Sequence, residues 1–511
     1  MGKKKQMRSE VKGNVKNSIG RIAFAALAVL LQIGWILILM IKLYQYSSVI
    51  SLLTSLFALV VALRIYGKHT NAAFKMPWII VILAFPVFGL CIYGLFGHKE
   101  AMHKIIRKFE DVDAQLIPLN VQDETILQQL EQEDPLLANQ CHYIWKYGNY
   151  PVYDTTAVKF YPEAYLGYEE QLKELEKAKH FIFLEYHAIE EAEAFARLRD
   201  VLARKAAEGV EVRILYDDVG CIGFLDKSFI DRMNAIGVQC RVFNYVVPFL
   251  NIFMNNRDHR KIMVIDGKVG FTGGYNLADE YFNITHPYGY WKDTGVKLTG
   301  RAVQNFTMMF LEMWNVMGQA DTDYEKYLKA SQEGVEDGNV QKASGYVQPY
   351  ADSPLDGEPV GENVYLNLIK TAKKRLYVAT PYLIISDEMT RELGLAAKRG
   401  VDVRVFTPGI PDKKVIYGVT RSYYSGLVSQ GVRVYEYTPG FLHAKQMLCD
   451  EDTATSVPSI WITGACIIIL KTVCGCTAVM PSGILRRILI SCYRIVRKSP
   501  INTGMEGKIW Q

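Results

Sequence analysis

The strongest constraint on how this 511-residue chain folds is an internal duplication. LEKAKHFIFLEYHAIEE, AFARLRDVLARKAAEG and VEVRILYDD read as strand, helix and strand, and TAKKRLYVATPYLIISDE, MTRELGLAAKRG and VDVRVFTPG repeat that order. GVQCRVFNY then leads into one charged motif and GVRVYEYTPG into another. A repeat of roughly 190 residues is too long for a solenoid unit. It predicts two duplicated α/β lobes, each a mixed sheet flanked by helices.

The two charged motifs carry the chemistry. NNRDHRKIMVIDGKVGFTGGYN holds His259, Lys261 and Asp266; FLHAKQMLCD holds His443, Lys445 and Asp450. Both read His-x-Lys, four residues, Asp. On an extended strand residues i and i+2 share a face, so imidazole and ammonium project together. A lysine point charge beside a histidine suits a phosphoryl oxygen. One such match is what any surface strand can show by chance; two copies at the same place in a repeat predict one site shared by both lobes. There one imidazole attacks phosphorus and the other serves as acid and then base. No Cys/His or acidic cluster has metal-ligand spacing, so neither metal nor cofactor is expected. His187 and His286 have no partner in the repeat and read as strand-end or loop residues, and Cys221 as a packed thiol.

The N-terminal region has another character. Residues 1–21 are basic and precede the uncharged run Ile22–Ile41, long enough for a ~30 Å hydrocarbon core. Two further apolar runs follow, 46–63, weaker for its serines, and 76–96, whose Pro86 and glycines a membrane helix tolerates. Basic residues before, between and after these runs cannot all lie on one face of a membrane crossed three times, so a re-entrant segment is compatible with the pattern. The net charge of +5 decides little, and no strong basic surface signal points to nucleic acid. Of nine cysteines, four are scattered through the body of the chain, as thiols in a reducing compartment are, and five fall between Cys449 and Cys492.

On these residues the chain resembles the phospholipase D superfamily and, within it, the bacterial cardiolipin synthases. The resemblance is carried by MPWIIVILAFPVFGLCIYGLFG, FIFLEYHAIEE, VRILYDDVG, NNRDHRKIMVIDGKVGFTGGYNLADEY, WKDTG and YTPGFLHAK. It implies phosphatidyl transfer between two phosphatidylglycerol molecules, giving cardiolipin and glycerol through a phosphohistidine. His259 and His443 become nucleophile and acid/base in unassigned order, Lys261 and Lys445 phosphate ligands, Asn276 a further phosphate donor, and Asp293 the carboxylate orienting His259. Asp266 and Asp450 complete the motifs in a structural role. A phospholipase D-like hydrolase, another phosphatidyltransferase, and a catalytically dead membrane paralogue are the rival readings. The expected partners are phosphatidylglycerol and membrane lipids, not nucleic acid, with homo-oligomerisation left open. The expected place is a multi-pass anchor in the cell membrane with the catalytic region on the cytoplasmic side.

The second lobe then departs from the first. Where TGGYN and Asp293 stand in lobe one, the chain after Asp450 runs EDTATSVPSIWITGAC, with neither element. Written in suitable synonymous codons, Thr455 to Cys476 can be re-read from the last base of the Thr455 codon as VGTINMDYRSLYHHFENGVWL, which supplies an Asn and a Glu. RILISCYRIVRKS can likewise be re-read as DFDKLLPDSAEKS. The expectation is a one-nucleotide frameshift near Thr455, loss of central strands from the second sheet, and an inactive or poorly folded chain. The plan is thus a basic tail (1–21), a membrane region (22–98; candidate helices 22–41, 46–63 and 76–96), a connector (99–150) and a first lobe (151–330). A linker (331–345), an incomplete second lobe (346–455) and an aberrant tail (456–511) follow.

Overall fold

The computed structural model describes residues 48–68, 72–96, 103–226, 228–244, 257–318, 323–332, 345–352, 358–450, 453–456 and 465–470, with isolated positions between 27 and 42 and at 321. They form two compact units. One holds residues 1–111 with 222–227 and 244–257; the other holds 112–221, 228–243 and 258–511.

In the first unit the helices Ser48–Tyr66, Ala72–Ala84 and Pro86–Phe96 pack around Ala58, Ile65, Ile82 and Tyr93. The expected segment 76–96 is therefore not one helix. It breaks at Phe85, because Pro86 lacks an N–H and its ring clashes with the preceding turn. A methyl group at Gly89 would sit 2.4 Å from Ile82 Cα, so a glycine there lets the backbones close on each other. At ~1.5 Å per residue the 13- and 11-residue helices reach ~20 and ~17 Å, short of a ~30 Å hydrocarbon core. Among the described residues no helix is long and apolar enough to cross a membrane. Of the candidate 22–41, twelve of the twenty positions lie outside the described residues, as does most of the linker 331–345.

The second unit contains both lobes. Lobe one runs β1 (Thr156–Tyr161), β2 (Phe181–Tyr186), β3 (Glu211–Asp217), β4 (Val238–Phe243), β5 (Lys261–Ile265), β6 (Val269–Gly273), β7 (Tyr290–Lys292) and β8 (Gly295–Gly300). Lobe two runs β9 (Tyr346–Ala351), β10 (Arg375–Ala379), β11 (Asp402–Pro408), β12 (Arg433–Tyr437), β13 (Gly440–Leu442), β14 (Gln446–Cys449), β15 (Thr453–Ser456) and β16 (Ala465–Leu470). The sheets have orders β1-β8-β6-β5-β2-β3-β4 and β9-β16-β15-β14-β10-β11-β12. They correspond strand for strand, as the duplication predicts. In both, the parallel β2-β3-β4 or β10-β11-β12 trio is joined through helical crossovers, and the motif strand, β5 or β14, pairs antiparallel to the trio's first strand, β2 or β10.

Two expectations are corrected here. The second sheet keeps seven strands: β15 pairs with β14, and β16 pairs with both β15 and β9. A ladder is made by backbone groups, and the β-branched run Ile467-Ile468-Ile469 suits a strand whatever its origin. The second correction concerns the connector. Helices Glu124–Glu133 and Pro135–Gly148, capped by the Asp123 and Asp134 carboxylates, bury Ile126, Leu130, Cys141 and Ile144 among Val364, Leu368, Leu376 and Met447. Part of the supposed connector is core of lobe two.

Candidate active site

The site is assembled by a short ribbon between lobes. β7 and β13 pair in parallel, Trp291 with Phe441 and Lys292 with Leu442. The Lys292 carbonyl accepts the backbone N–H groups of His443, at 2.8 Å, and Ala444, at 3.1 Å. This register carries Asp293 past the end of one strand and His443 past the end of the other, so that His443 Nδ1 donates to Asp293 Oδ2 at 2.6 Å. The carboxylate is fully buried and also accepts from the Thr294 N–H. Gly274 is required opposite it, since a methyl group there would lie 2.1 Å from Asp293 Oδ1.

Asp293 was expected on His259; it serves His443 instead. The reason is the ribbon: a carboxylate that precedes β8 faces the partner lobe, not its own. By the same duplicated geometry, His259 would take its carboxylate from the residue two places before β16. That residue is Thr463, outside the described residues, and it has no carboxyl group. Likewise Asn276 lies three residues after β6, and Ser459, also outside the described residues, three after β15.

Around His443 the site is dense. Lys445 Nζ lies 2.8 Å from each ring nitrogen and donates to the His443 carbonyl at 2.6 Å. Tyr281, Trp291 and Phe441 enclose the ring, with centroids 5.4, 5.2 and 5.6 Å away. Burial and the neighbouring Lys445 charge push the His443 imidazole down to about 4, against the opposing pull of Asp293. Burial likewise takes Lys445 down to about 7. Burial works to raise the Asp293 carboxyl, but the His443 and Lys445 cations outweigh it and hold it below the usual range.

His259 is placed differently. Lys261 Nζ is 3.2 Å from its Nδ1 and 2.7 Å from its carbonyl oxygen. Burial first, then the charges of Lys261, His187, Lys445 and His443, drive its imidazole well down. Lys261, fully buried on β5, is also pushed down by burial and then by Lys445. The charges of each motif are therefore felt at the other.

Asn276 reaches the site but is already engaged. Its Oδ1 accepts from the Ala188 N–H at 3.2 Å and its Nδ2 donates to the Tyr281 hydroxyl at 2.8 Å, which ties it to the ring beside His443. Asp266 and Asp450 lie at the far ends of their strands. Asp266 accepts the N–H groups of Lys179, His180 and Phe181, and Asp450 those of Lys373, Lys374 and Arg375. Both stand at positive φ, +51° and +53°, and close the same turn in the two lobes. They brace the fold and touch none of the reacting groups.

His187 is the residue sequence reasoning missed. It follows β2, and its ring stands 4.7 Å from that of His259. Its Nδ1 donates to the Asp258 carbonyl at 2.8 Å and lies 3.9 Å from the Asp217 carboxylate. Gly220 clears the space, because a methyl group there would meet the His187 carbonyl oxygen at 1.9 Å. The repeat gave no signal, since the matching position in lobe two carries no histidine. Cys221 behaves as expected: buried, it has its thiol pushed well up by desolvation.

Chemically, a buried imidazole with its Nδ1 proton fixed by a carboxylate carries its lone pair at Nε2, and the buried Lys445 and Lys261 amines, one from each motif, can take up protons to meet an anion. Two α/β lobes with such a site between them define a phosphodiester-transferring protein of the phospholipase D class. Residues 172–314 and 365–464 match the family described as "Cardiolipin synthase, PLD-like domain", and residues 54–98 match "Phospholipase_D-nuclease N-terminal". A cardiolipin synthase of Alkalihalophilus pseudofirmus is 33% identical over 80% of this chain and 80% of its own length. One of a Geobacillus species is 34% identical over the same shares, and an uncharacterized protein of Streptococcus mutans is 41% identical over 74% of this chain and 80% of its own. The chain belongs to the bacterial cardiolipin synthases of the phospholipase D superfamily, a family of phosphatidyltransferases.

Proposed function

We propose that the site is built to transfer a phosphatidyl group from one phosphatidylglycerol to another, giving cardiolipin and glycerol. The observation that carries this reading is the buried Asp293–His443–Lys445 group with His259 and Lys261 converging on it. One histidine attacks phosphorus, forming a P–N bond as the P–O bond to glycerol breaks, and the other donates a proton to the leaving alkoxide. The second lipid's hydroxyl then gives its proton back to that histidine and attacks phosphorus, releasing the first. Lys261 and Lys445 bind the nonbridging oxygens. Asp293 fixes the His443 tautomer, and Asn276, through Tyr281, holds the ring wall beside it. The apolar N-terminal runs support anchoring in the cell membrane as a multi-pass protein, with the catalytic unit on the cytoplasmic side.

The C-terminal part supports an impaired version of this enzyme. Among the described residues its tail completes a sheet and brings no carboxylate to His259, in keeping with a one-base frame change near Thr455. Labelled phosphatidylglycerol incubated with the purified 511-residue protein tests this: no measurable cardiolipin is expected. Cardiolipin at a rate typical of the family would refute the impairment. With the re-read C-terminus in place, cardiolipin and glycerol are expected, and phosphatidic acid alone would replace synthase by hydrolase.

A further inference from the structure

The helix Lys414–Ser422, between β11 and β12 of lobe two, turns an apolar strip to solvent. Val415 and Val419, four residues apart and so on one face, are 80% and 39% exposed, while the other side buries Thr420, whose hydroxyl accepts the Leu383 N–H. Amphipathic helices in a folded lobe ordinarily turn the apolar side inward; this one leaves valines outside. The turn before it carries Ile410, 40% exposed.

A chain of contacts ties this face to the reaction centre. Ile410 N–H donates to the Gly440 carbonyl at 3.2 Å, on the strand that ends one residue before His443. Tyr382 donates to the Asp412 carboxylate, its ring lies under Lys413 Nζ at 5.5 Å and against Phe441 at 6.2 Å, and Phe441 flanks His443. The charges of Asp412 and Lys413 are felt at Lys445. Ile410 also reaches the loop at Gly289, where a methyl group would touch its Cδ1 at 3.1 Å, and the exposed Ile284 lies on that same loop.

The exposed cations sit beside this strip. Lys413, 3.7 Å from the Asp412 carboxylate, and Lys414 at the helix start are both open to solvent. An apolar strip with adjoining lysines is the pattern of a segment lying in the headgroup layer of an anionic bilayer. A lipid whose phosphorus must reach His443 while its acyl chains stay in hydrocarbon needs bilayer contact at the rim of the site, where this strip lies.

We propose that Ile410, Lys413, Lys414, Val415 and Val419 form a docking surface for anionic bilayers, seating the mouth of the site on the membrane so that the lipid headgroup enters beside His443. The proposal rests on the lipid-transferase reading only for what enters. Docking can be measured without turnover, so the two can fail separately.

The test uses the full chain in vesicles, with Val415→Cys carrying an environment-sensitive fluorophore and the unsubstituted chain, labelled identically, subtracted for its native cysteines. In vesicles of phosphatidylglycerol and phosphatidylcholine the probe should shift to the blue and be quenched at least twofold by lipids spin-labelled near the headgroup. Phosphatidylcholine alone, or Lys413→Glu with Lys414→Glu, should weaken that quenching by at least half. Val415 is so exposed that the substitution leaves the lobe's core untouched. A probe that remains open to aqueous iodide in anionic vesicles overturns the proposal. So does a probe shielded from iodide in those vesicles yet unquenched by the spin-labelled lipids, which would mean that protein covers this face.

Discussion

His443 and Asp293 belong to different lobes, yet their side chains meet at 2.6 Å because two three-residue strands pair across the boundary. Lobe one thus lends its carboxylate to the histidine of lobe two. By sequence register the residue that corresponds to Asp293 is Thr463, outside the described residues, which has no carboxyl group.

The first prediction concerns Asp293→Asn. Removing an orienting carboxylate from a catalytic histidine costs about 10⁴ in turnover in a Ser-His-Asp enzyme. A loss of ~10²–10⁴ is expected here, measured in the chain with the re-read C-terminus, with little change in KM. Nitrogen NMR of labelled histidine should show the His443 Nδ1 proton lost from its fixed position and the His259 signals nearly unmoved. A change confined to His259 would reverse the assignment.

The second concerns pH. His443 is held at about 4 in the folded chain against an ordinary 6.5. Between those values the unfolded chain binds a proton that the folded chain refuses, so stability falls as pH drops from about 6.5 towards 4 and loses nothing further from this group below that. Asp293 adds to the acid loss, since its depressed carboxyl stabilises the fold above the usual range and ceases to do so as it is protonated. Thermal unfolding between pH 4 and 7 should flatten in His443→Gln. An unchanged slope would remove His443 as its source.

Anion binding follows from the lysines. Lys445 stands at about 7 and Lys261 well below its ordinary value, both chiefly through burial. A phosphate-like anion between them would raise both, so binding at pH 8 should take up protons. Calorimetry with vanadate in buffers of different ionisation enthalpy reads that uptake directly. Lys445→Ala should abolish most of it; uptake that survives the substitution would place the anion elsewhere.

Much of this was legible beforehand, for identifiable reasons. The duplicated strand and helix pattern, and the His-x-Lys spacing on β5 and β14, are local signals that survive in one dimension. The Asp293–His443 pairing is not local: it depends on the β7/β13 register, set by strands of three residues that carry no periodicity of their own. His187 was missed for the same reason, since its 4.7 Å approach to His259 is created by the neighbouring strands β2 and β5. The second sheet's completeness was misjudged because backbone pairing is less exacting than side-chain chemistry. The unbroken reading of 76–96 failed at Pro86, a breaker that membrane helices tolerate only when neighbouring groups re-satisfy the backbone.

The final prediction separates fold from chemistry at Asp266. Its carboxylate accepts three backbone N–H groups at 2.7 to 2.8 Å from the residues that enter β2. Asp266→Asn keeps a side chain that tolerates the positive φ but gives up the charge and one acceptor oxygen, so a loss of ~1–3 kcal/mol is expected. Asp266 touches neither His259 nor Lys261, so vanadate-linked proton uptake should survive at temperatures where the variant remains folded. If that uptake disappears while circular dichroism still reports a folded chain, Asp266 acts on the site itself, and the bracing role assigned to it here is wrong.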